Sequence, residues 1–311
     1  MKFVDRMNQE GVLLMDGALG TELERRGVPV DTKSWSAVSM IEHADVVRAV
    51  HADYVRAGAD LHIVNSFALG RQVLEPAGFG DQVVAFNQRA VKLCKQAILD
   101  SDADRPLWIA GSLSTFADNS DRTKLPQGPT LRANYREQAA ILQEAGVDLL
   151  AIETLCDVDI SLDAIAGALP TGLPLILGFT CHWSDDGKTV ETRPGVGVPP
   201  IPLTKVLDAL IPEVPSDTTV IYAIMHSDFD VTDAGLIELK EKWTGPTAVY
   251  PNSGRFNNLR LDFDGVCLPE HFVYAANNWI EAGANIVGGC CGLGPKHIEA
   301  LRDHIKRMNS D

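Results

Sequence analysis

Two adjacent cysteines form the part of the sequence best suited to chemistry. Cys290 and Cys291 lie in the stretch GANIVGGCCGLGPKHI, between glycines and just before a helix start. Two neighbouring thiolates that turn toward one ion would supply half of a zinc site, and we expect Gly288, Gly289 and Gly292 to provide the backbone angles this needs. Two small buried cysteines or a vicinal disulfide are the alternatives, which the Cys-Cys pair alone does not exclude.

Other reactive side chains follow short apolar runs along the chain. Asp16, Glu153 and His226 each stand at the end of such a run. Further amide, hydroxyl, thiol and imidazole groups stand at the ends of other runs: Asn65, Ser66, Cys181, His182, Asn252 and Ser253. His226 and Cys181 are the candidates for a third metal ligand beside the two cysteines. A histidine in this position is otherwise expected to be a hydrogen-bonded wall residue.

The apolar runs themselves predict eight strands. They cover residues 11–17, 60–67, 106–112, 147–154, 174–181, 219–226, 247–253 and 284–291. Several are almost continuously apolar, which is typical of parallel strands with both faces buried under helices.

Helical patterns separate these strands. Apolar residues recur every three or four positions over 47–57 and 298–308, which predicts amphipathic helices there. An Ala-Gly pair precedes a strand three times, and we expect Gly58, Gly146 and Gly283 to end helices in the left-handed conformation. Helix and strand therefore alternate along the chain.

Eight alternating units in 311 residues predict a single (β/α)8 TIM barrel that spans residues 1–311 as one domain. An open doubly wound sheet is the rival architecture, but the G-x-G of RPGVGVPP follows no strand and leads into two prolines. In a barrel the active site lies at the carboxyl ends of the strands, so the polar residues named above are expected to converge.

The net charge of the chain indicates which kinds of molecule it binds. A net charge of -15 argues against a nucleic-acid or anionic-membrane surface and favours small-molecule partners. The N-terminal stretch lacks an apolar signal region and no window is long enough to span a membrane, so we expect a cytoplasmic protein. Six cysteines in so long a chain are expected to be free, metal-binding or catalytic rather than a disulfide framework.

The sequence resembles the zinc-dependent homocysteine S-methyltransferase family over nearly its whole length. The stretches that carry the likeness are LLMDGALGTELERRG, YVRAGADLHIVNSFALG, AIET, YPNSG and GGCCGLGPKHI, in the family's order. The resemblance implies a methyltransferase that moves a methyl group from an onium donor, S-methylmethionine or S-adenosylmethionine, to a zinc-activated thiol. We expect homocysteine as the acceptor and methionine as the product.

The resemblance also implies roles for individual residues. Cys290 and Cys291 match two zinc ligands, and His226 stands where the family has a third cysteine. Asp16 and Glu153 are expected to hold the amino-acid end of the acceptor. The remaining expected substrate-binding residues are Trp35, which would face the donor cation, together with Asn65, Ser66 and Asn252.

The change to His226 keeps two other functions open. One is a methyltransferase of the same fold with a different methylated sulfur or nitrogen substrate, and the other is a catalytically silent barrel that binds thiols or metal. In each case the expected partners are small molecules, here a methyl donor and a thiol acceptor. The chain is expected to be a monomer or a small homo-oligomer.

Overall fold

A computed structural model describes residues 1–29, 37–115, 121–257 and 260–308 of the chain. Its centre is a sheet of eight parallel strands. In chain order the strands are β1 (Leu13–Leu14), β2 (Leu61–Ile63), β3 (Trp108–Ser114), β4 (Leu149–Leu155), β5 (Leu175–Phe179), β6 (Val220–Met225), β7 (Thr247–Tyr250) and β8 (Ile286–Val287). All eight predicted strands are therefore present.

The sheet closes on itself. Its order is β1-β8-β7-β6-β5-β4-β3-β2. The two strands at the ends of this order, β1 and β2, also meet. A parallel bridge joins Met15 to Leu61, and the amide of Asp16 donates to the carbonyl of Leu61 at 2.9 Å. Hydrogen bonds thus run around the whole ring, which confirms the predicted (β/α)8 barrel.

Helices cover the outside of the ring and its amino end. They are α1 (Phe3–Met7), α2 (Leu19–Arg25), α3 (Ser39–Glu42), α4 (Ala44–Ala57), α5 (Arg71–Leu74), α6 (Val83–Leu99), α7 (Pro129–Ala145), α8 (Val158–Ala168), α9 (Leu203–Leu210), α10 (Phe229–Lys242), α11 (Pro269–Glu281) and α12 (Pro295–Met308). The helices predicted over 47–57 and 298–308 are confirmed as parts of α4 and α12. Gly58, Gly146 and Gly283 have φ of 104°, 83° and 91°, as expected for left-handed residues at helix ends.

The buried apolar side chains form two layers. One fills the barrel interior and the other lies between the sheet and the helices. The interior layer includes Leu13, Leu61, Ile176 and Ile286, and α1 closes the amino end of the barrel by placing Phe3 against Trp108, with ring centroids 6.1 Å apart. The amino end is therefore plugged, and the opposite end is left for the loops.

Several strands are shorter than the apolar runs indicate. β8 ends at Val287, so Cys290 and Cys291 follow the strand rather than belong to it. Cys181, predicted at the end of a barrel strand, instead begins an antiparallel hairpin of Cys181–Trp183 and Val190–Thr192. A second hairpin pairs Arg255–Asn257 with Arg260–Asp262. None of the helices in the described ranges is long and apolar enough to cross a membrane.

Candidate active site

A cavity of about 350 Å³ opens at the carboxyl ends of the barrel strands. The segments after all eight strands contribute to its wall, because the parallel strands all end on this side. Six of the predicted site residues line it: Asn65, Glu153, His226, Asn252, Cys290 and Cys291. Trp35 lies outside the described residues.

The two cysteines are held by the end of β7. The amide of Cys290 donates to the carbonyl of Pro251 at 2.7 Å, and the amide of Cys291 donates to Oδ1 of Asn252 at 3.1 Å. Their Sγ atoms lie 3.8 Å apart. Because the pair follows the strand instead of continuing it, the alternation of an extended strand does not separate the two thiols.

The glycines around the cysteines act in two different ways. Gly292 has a φ of 84°, so it supplies the left-handed turn that was predicted. Gly288 and Gly289 do not have positive φ. A Cβ on Gly288 would lie 2.8 Å from the carbonyl oxygen of Asp16, and one on Gly289 would lie 2.6 Å from Cβ of Leu293. These two positions therefore need glycine for close packing, and the expectation of unusual angles there is wrong.

His226 lies directly after β6 and points to the cysteines. Its φ is 54°, uncommon for a residue with a side chain, and its amide donates to the carbonyl of Tyr250 at 2.9 Å. Nδ1 lies 3.1 Å from Sγ of Cys290, and Nε2 lies 2.9 Å from Oε2 of Glu153. Backbone strain of this kind persists where the surrounding structure enforces it, which is common in functional sites.

A chain of polar contacts therefore runs across the cavity floor. The Ser112 hydroxyl donates to Oε1 of Glu153, whose other oxygen accepts from Nε2 of His226. This leaves Nδ1 of His226 as the acceptor that faces the Cys290 thiol. Burial raises the pKa of Cys290 well above its usual value, and the neighbouring Cys291 adds to the effect. Without a cation nearby, the Cys290 thiol stays protonated at neutral pH.

Asp16 lies just beneath this floor and is 1% exposed. Its Oδ2 accepts from the amide of Ile63 at 3.0 Å, whereas Oδ1 has no hydrogen-bond partner. Burial raises the pKa of Asp16 well above its usual value, the Ile63 amide opposes that shift, and the charge of Glu153 adds to it. Asp16 is not among the residues that line the cavity, and Gly17, the next residue, is.

Two buried histidines accompany Asp16. Donor atoms of Asp16, His51 and His62 lie within 4.8 Å of one another, an arrangement that could hold a metal ion. Nε2 of His62 contacts the carbonyl of Ala59 at 3.2 Å, and Nδ1 lies 3.9 Å from Oδ2 of Asp16. Within the described part of the chain, the donor atoms of His226, Cys290 and Cys291 do not reach this degree of mutual proximity.

Two further candidates take structural positions. The Ser66 hydroxyl donates to the carbonyl of Ser112 at 2.8 Å and accepts from the amide of Ser112 at 2.9 Å, so it ties β2 to β3 beside the cavity. Cys181 is buried and lies apart from the cavity lining. Asn65 lines the cavity, and its amide donates to the Ser39 hydroxyl at 3.3 Å.

The sequence reading missed several residues of the site. Ser112 ends the apolar run 106–112, so the strand-end argument that selected Glu153 would have selected it too. Arg122 and Arg193 line the cavity from loops. No periodicity marks a loop position, and nothing in the local sequence distinguishes these arginines from surface charges.

The comparisons with known proteins agree with this geometry. A family profile described as Homocysteine S-methyltransferase matches residues 13–305. The chain belongs to the homocysteine S-methyltransferase family. The reaction of this family is methyl transfer to the sulfur of homocysteine, which forms methionine, and the chain is accordingly a transferase of this type.

Relatives match over almost their full length. Homocysteine S-methyltransferase from Escherichia coli (strain K12) is 30% identical over 95% of this chain and 96% of its own. Selenocysteine methyltransferase from Astragalus bisulcatus is 29% identical over 96% of this chain and 94% of its own. The metallated form of the homocysteine methyltransferase MmuM from Escherichia coli superimposes with a TM-score of 0.77, at 27% identity over 96% of this chain and 98% of that one.

Proposed function

We propose that this member of the family transfers a methyl group from an onium donor to homocysteine at a zinc site formed by His226, Cys290 and Cys291. The observation that carries the proposal is the pair of thiols 3.8 Å apart on the cavity floor, with the imidazole of His226 beside them. Two thiols and an imidazole are soft donors that suit zinc.

The spacing of these donors fits a tetrahedral ion after a small movement. Two thiolates that bind one zinc at about 2.3 Å lie about 3.8 Å apart, which equals the Sγ–Sγ distance of Cys290 and Cys291. A thiolate and an imidazole nitrogen on zinc lie about 3.6 Å apart, whereas Nδ1 of His226 and Sγ of Cys290 are at 3.1 Å. His226 must therefore withdraw by about half an ångström, and approach Cys291 as it does so.

Glu153 would support that ligand set. Its Oε2 already accepts from Nε2 of His226, an arrangement that fixes the imidazole and directs Nδ1 toward the thiols. When bound, zinc would lower the pKa of the acceptor thiol and position its sulfur for attack on the donor methyl group. A set of three protein ligands, His226, Cys290 and Cys291, would leave room on the ion for the acceptor sulfur.

The acceptor's ammonium group would bind beside these carboxylates. Asp16 keeps Oδ1 without a partner, and a buried acceptor of this kind is unfavourable until a donor reaches it. Glu153 retains lone pairs on both oxygens after its contacts with Ser112 and His226. We infer that Asp16 and Glu153 bind the ammonium group, and that Asn65 and Asn252 shape the adjoining wall.

Metal analysis of purified protein, combined with mass-spectrometric screening of onium donors, tests the proposal. We expect about one zinc per chain at this site, and loss of zinc and methyl transfer in Cys290→Ser and Cys291→Ser. Cys267→Ser is the matched control, since Cys267 lies outside the cavity lining and should leave both unchanged.

Several results would contradict the proposal. A reduced, zinc-free protein with full activity would exclude the metal mechanism. The screen should also include cysteine and selenocysteine as acceptors. Methylated product formed only from an acceptor other than homocysteine would favour a methyltransferase of the same fold with a different substrate. Saturable thiol binding without any methylated product would indicate a silent binding barrel.

A further inference from the structure

Two loops are joined across the mouth of the cavity. The segment after β3 and the segment after the 181–192 hairpin meet in a parallel bridge between Asp121 and Val196. Gly197 packs closely against Thr123, where a larger side chain would collide with the threonine methyl group. These loops carry Arg122 and Arg193 into the cavity wall. The bridge fixes both arginines relative to the barrel.

Arg122 is anchored by backbone carbonyls rather than by a carboxylate. Its Nε donates to the carbonyl of Thr115 at 3.3 Å and its Nη2 to the carbonyl of Thr154 at 3.4 Å. Nη1 is buried and has no hydrogen-bond partner. A buried N–H without a partner is unfavourable, so the guanidinium is ready to receive an acceptor.

Neither arginine pairs with a carboxylate of the described residues. Among the residues that the structure describes, no ion pair involves Arg122 or Arg193, although the chain has 42 acidic and 27 basic residues. In so acidic a protein, the buried Nη1 of Arg122 is left without an acceptor, while Arg193 is a solvent-exposed charge on the same cavity wall. A bidentate carboxylate matches the planar fork of arginine.

The cavity therefore has a carboxylate, Glu153, in one part of its lining and a guanidinium group, Arg122, in another. Glu153 lies on the floor, and the next residue, Thr154, offers its carbonyl to Arg122. An α-amino acid places its ammonium and carboxylate groups on one carbon. A ligand whose ammonium group meets Glu153 would thus direct its carboxylate toward Arg122.

We propose that Arg122, with Arg193 beside it, is an α-carboxylate-binding subsite that makes the enzyme select amino-acid ligands over amines of the same length. The proposal rests on the function proposed for the cavity. Both the thiol acceptor and an amino-acid onium donor offer this carboxylate. Arg122 is a specificity-determining residue and takes no part in the bond-making step.

Matched ligand pairs test the subsite. L-homocysteine is compared with 3-aminopropane-1-thiol, which lacks only the carboxylate, and S-methylmethionine is compared with (3-aminopropyl)dimethylsulfonium. We expect Arg122→Met to lower kcat/KM for the carboxylate-bearing member of one pair by on the order of 10- to 100-fold and to leave its amine analogue unchanged. The pair that responds identifies whether the acceptor or the donor occupies the subsite.

Controls separate a lost subsite from a damaged fold. Arg122→Lys keeps the charge but not the fork, so a partial loss is expected. Arg89→Met removes an exposed arginine of α6 and should leave both preferences intact. Equal preference for acid and amine in the wild type, or an unchanged preference of both pairs in Arg122→Met, would overturn the proposal.

Ligand binding measured by calorimetry distinguishes failure of the subsite proposal from failure of the proposed function. Homocysteine or S-methylmethionine binding that depends on Arg122, without methyl transfer, would support the subsite and refute the reaction. Methyl transfer that is indifferent to Arg122 would support the reaction and refute the subsite.

Discussion

His51 provides a test of the buried cluster beneath the cavity. It lies on α4, fully buried, and neither ring nitrogen has a hydrogen-bond partner. Burial lowers its pKa from 6.5 to about 4. The folded protein therefore keeps this imidazole neutral at a pH where the unfolded chain protonates it. Acidification then favours the unfolded state, so stability from this residue is present above the unfolded pKa and is lost as pH falls below it.

The size of the effect follows from that shift. Between about pH 7.5 and about pH 5.5, one group with an unfolded pKa near 6.5 and a folded pKa near 4 costs on the order of 1 kcal/mol of unfolding free energy. His51→Leu removes the ionisable group and fills similar space. We expect the free energy of unfolding of the variant to rise by on the order of 1 kcal/mol relative to the wild type over this range.

Urea unfolding at a series of pH values measures the difference. The comparison between variant and wild type cancels the titrating groups that lie away from His51, whereas Asp16, whose raised pKa acts in the opposite direction, belongs to the same cluster. His271→Leu, at an exposed position of α11, is the control for replacing a histidine by leucine away from the cluster. A difference between His51→Leu and the wild type that does not vary with pH, or that falls on acidification, would refute the reasoning.

Three further predictions concern the cavity floor. His226→Ala should lose metal, whereas His226→Cys should retain it and make the bound thiolate more nucleophilic; metal retained in His226→Ala, measured by metal analysis, would contradict the ligand assignment. Ser112→Ala removes a buried hydrogen bond to Glu153 and should raise the KM for homocysteine on the order of 10-fold with the metal content unchanged. Asp16→Asn should also raise this KM and keep zinc, while zinc loss without altered homocysteine binding, measured by calorimetry, would reverse that assignment.

Much of the framework follows from local sequence patterns. Apolar runs and Ala-Gly pairs predict eight strands and the helix ends at Gly58, Gly146 and Gly283, because burial on both faces and left-handed caps leave strong local signals. The strand ends are less predictable. The apolar run 284–291 extends beyond β8, which ends at Val287. The residues after the strand are buried too, so their apolar character does not show where the strand ends.

The site, like the framework, contains residues that the sequence predicts and residues that it does not. Glu153 and His226 follow from strand-end position, and the structure brings them into contact. The contact of His226 with Glu153, rather than with Cys291, depends on side-chain packing across strands distant in sequence. The placement of Arg122 depends on a bridge between two irregular loops, for which no periodic pattern exists.

The closing strand of the barrel has a consequence for biosynthesis. β8 inserts between β1 and β7, and it brings the two cysteines to Pro251 and Asn252. A nascent chain emerges from its N-terminus, so seven strands exist before either thiol does. Until then β1 and β7 expose unpaired edges that invite aggregation. Metal binding through Cys290 and Cys291 would therefore occur only after β8 has been synthesised. A chain that ends before β8 would lack both the two thiols and the strand that closes the barrel.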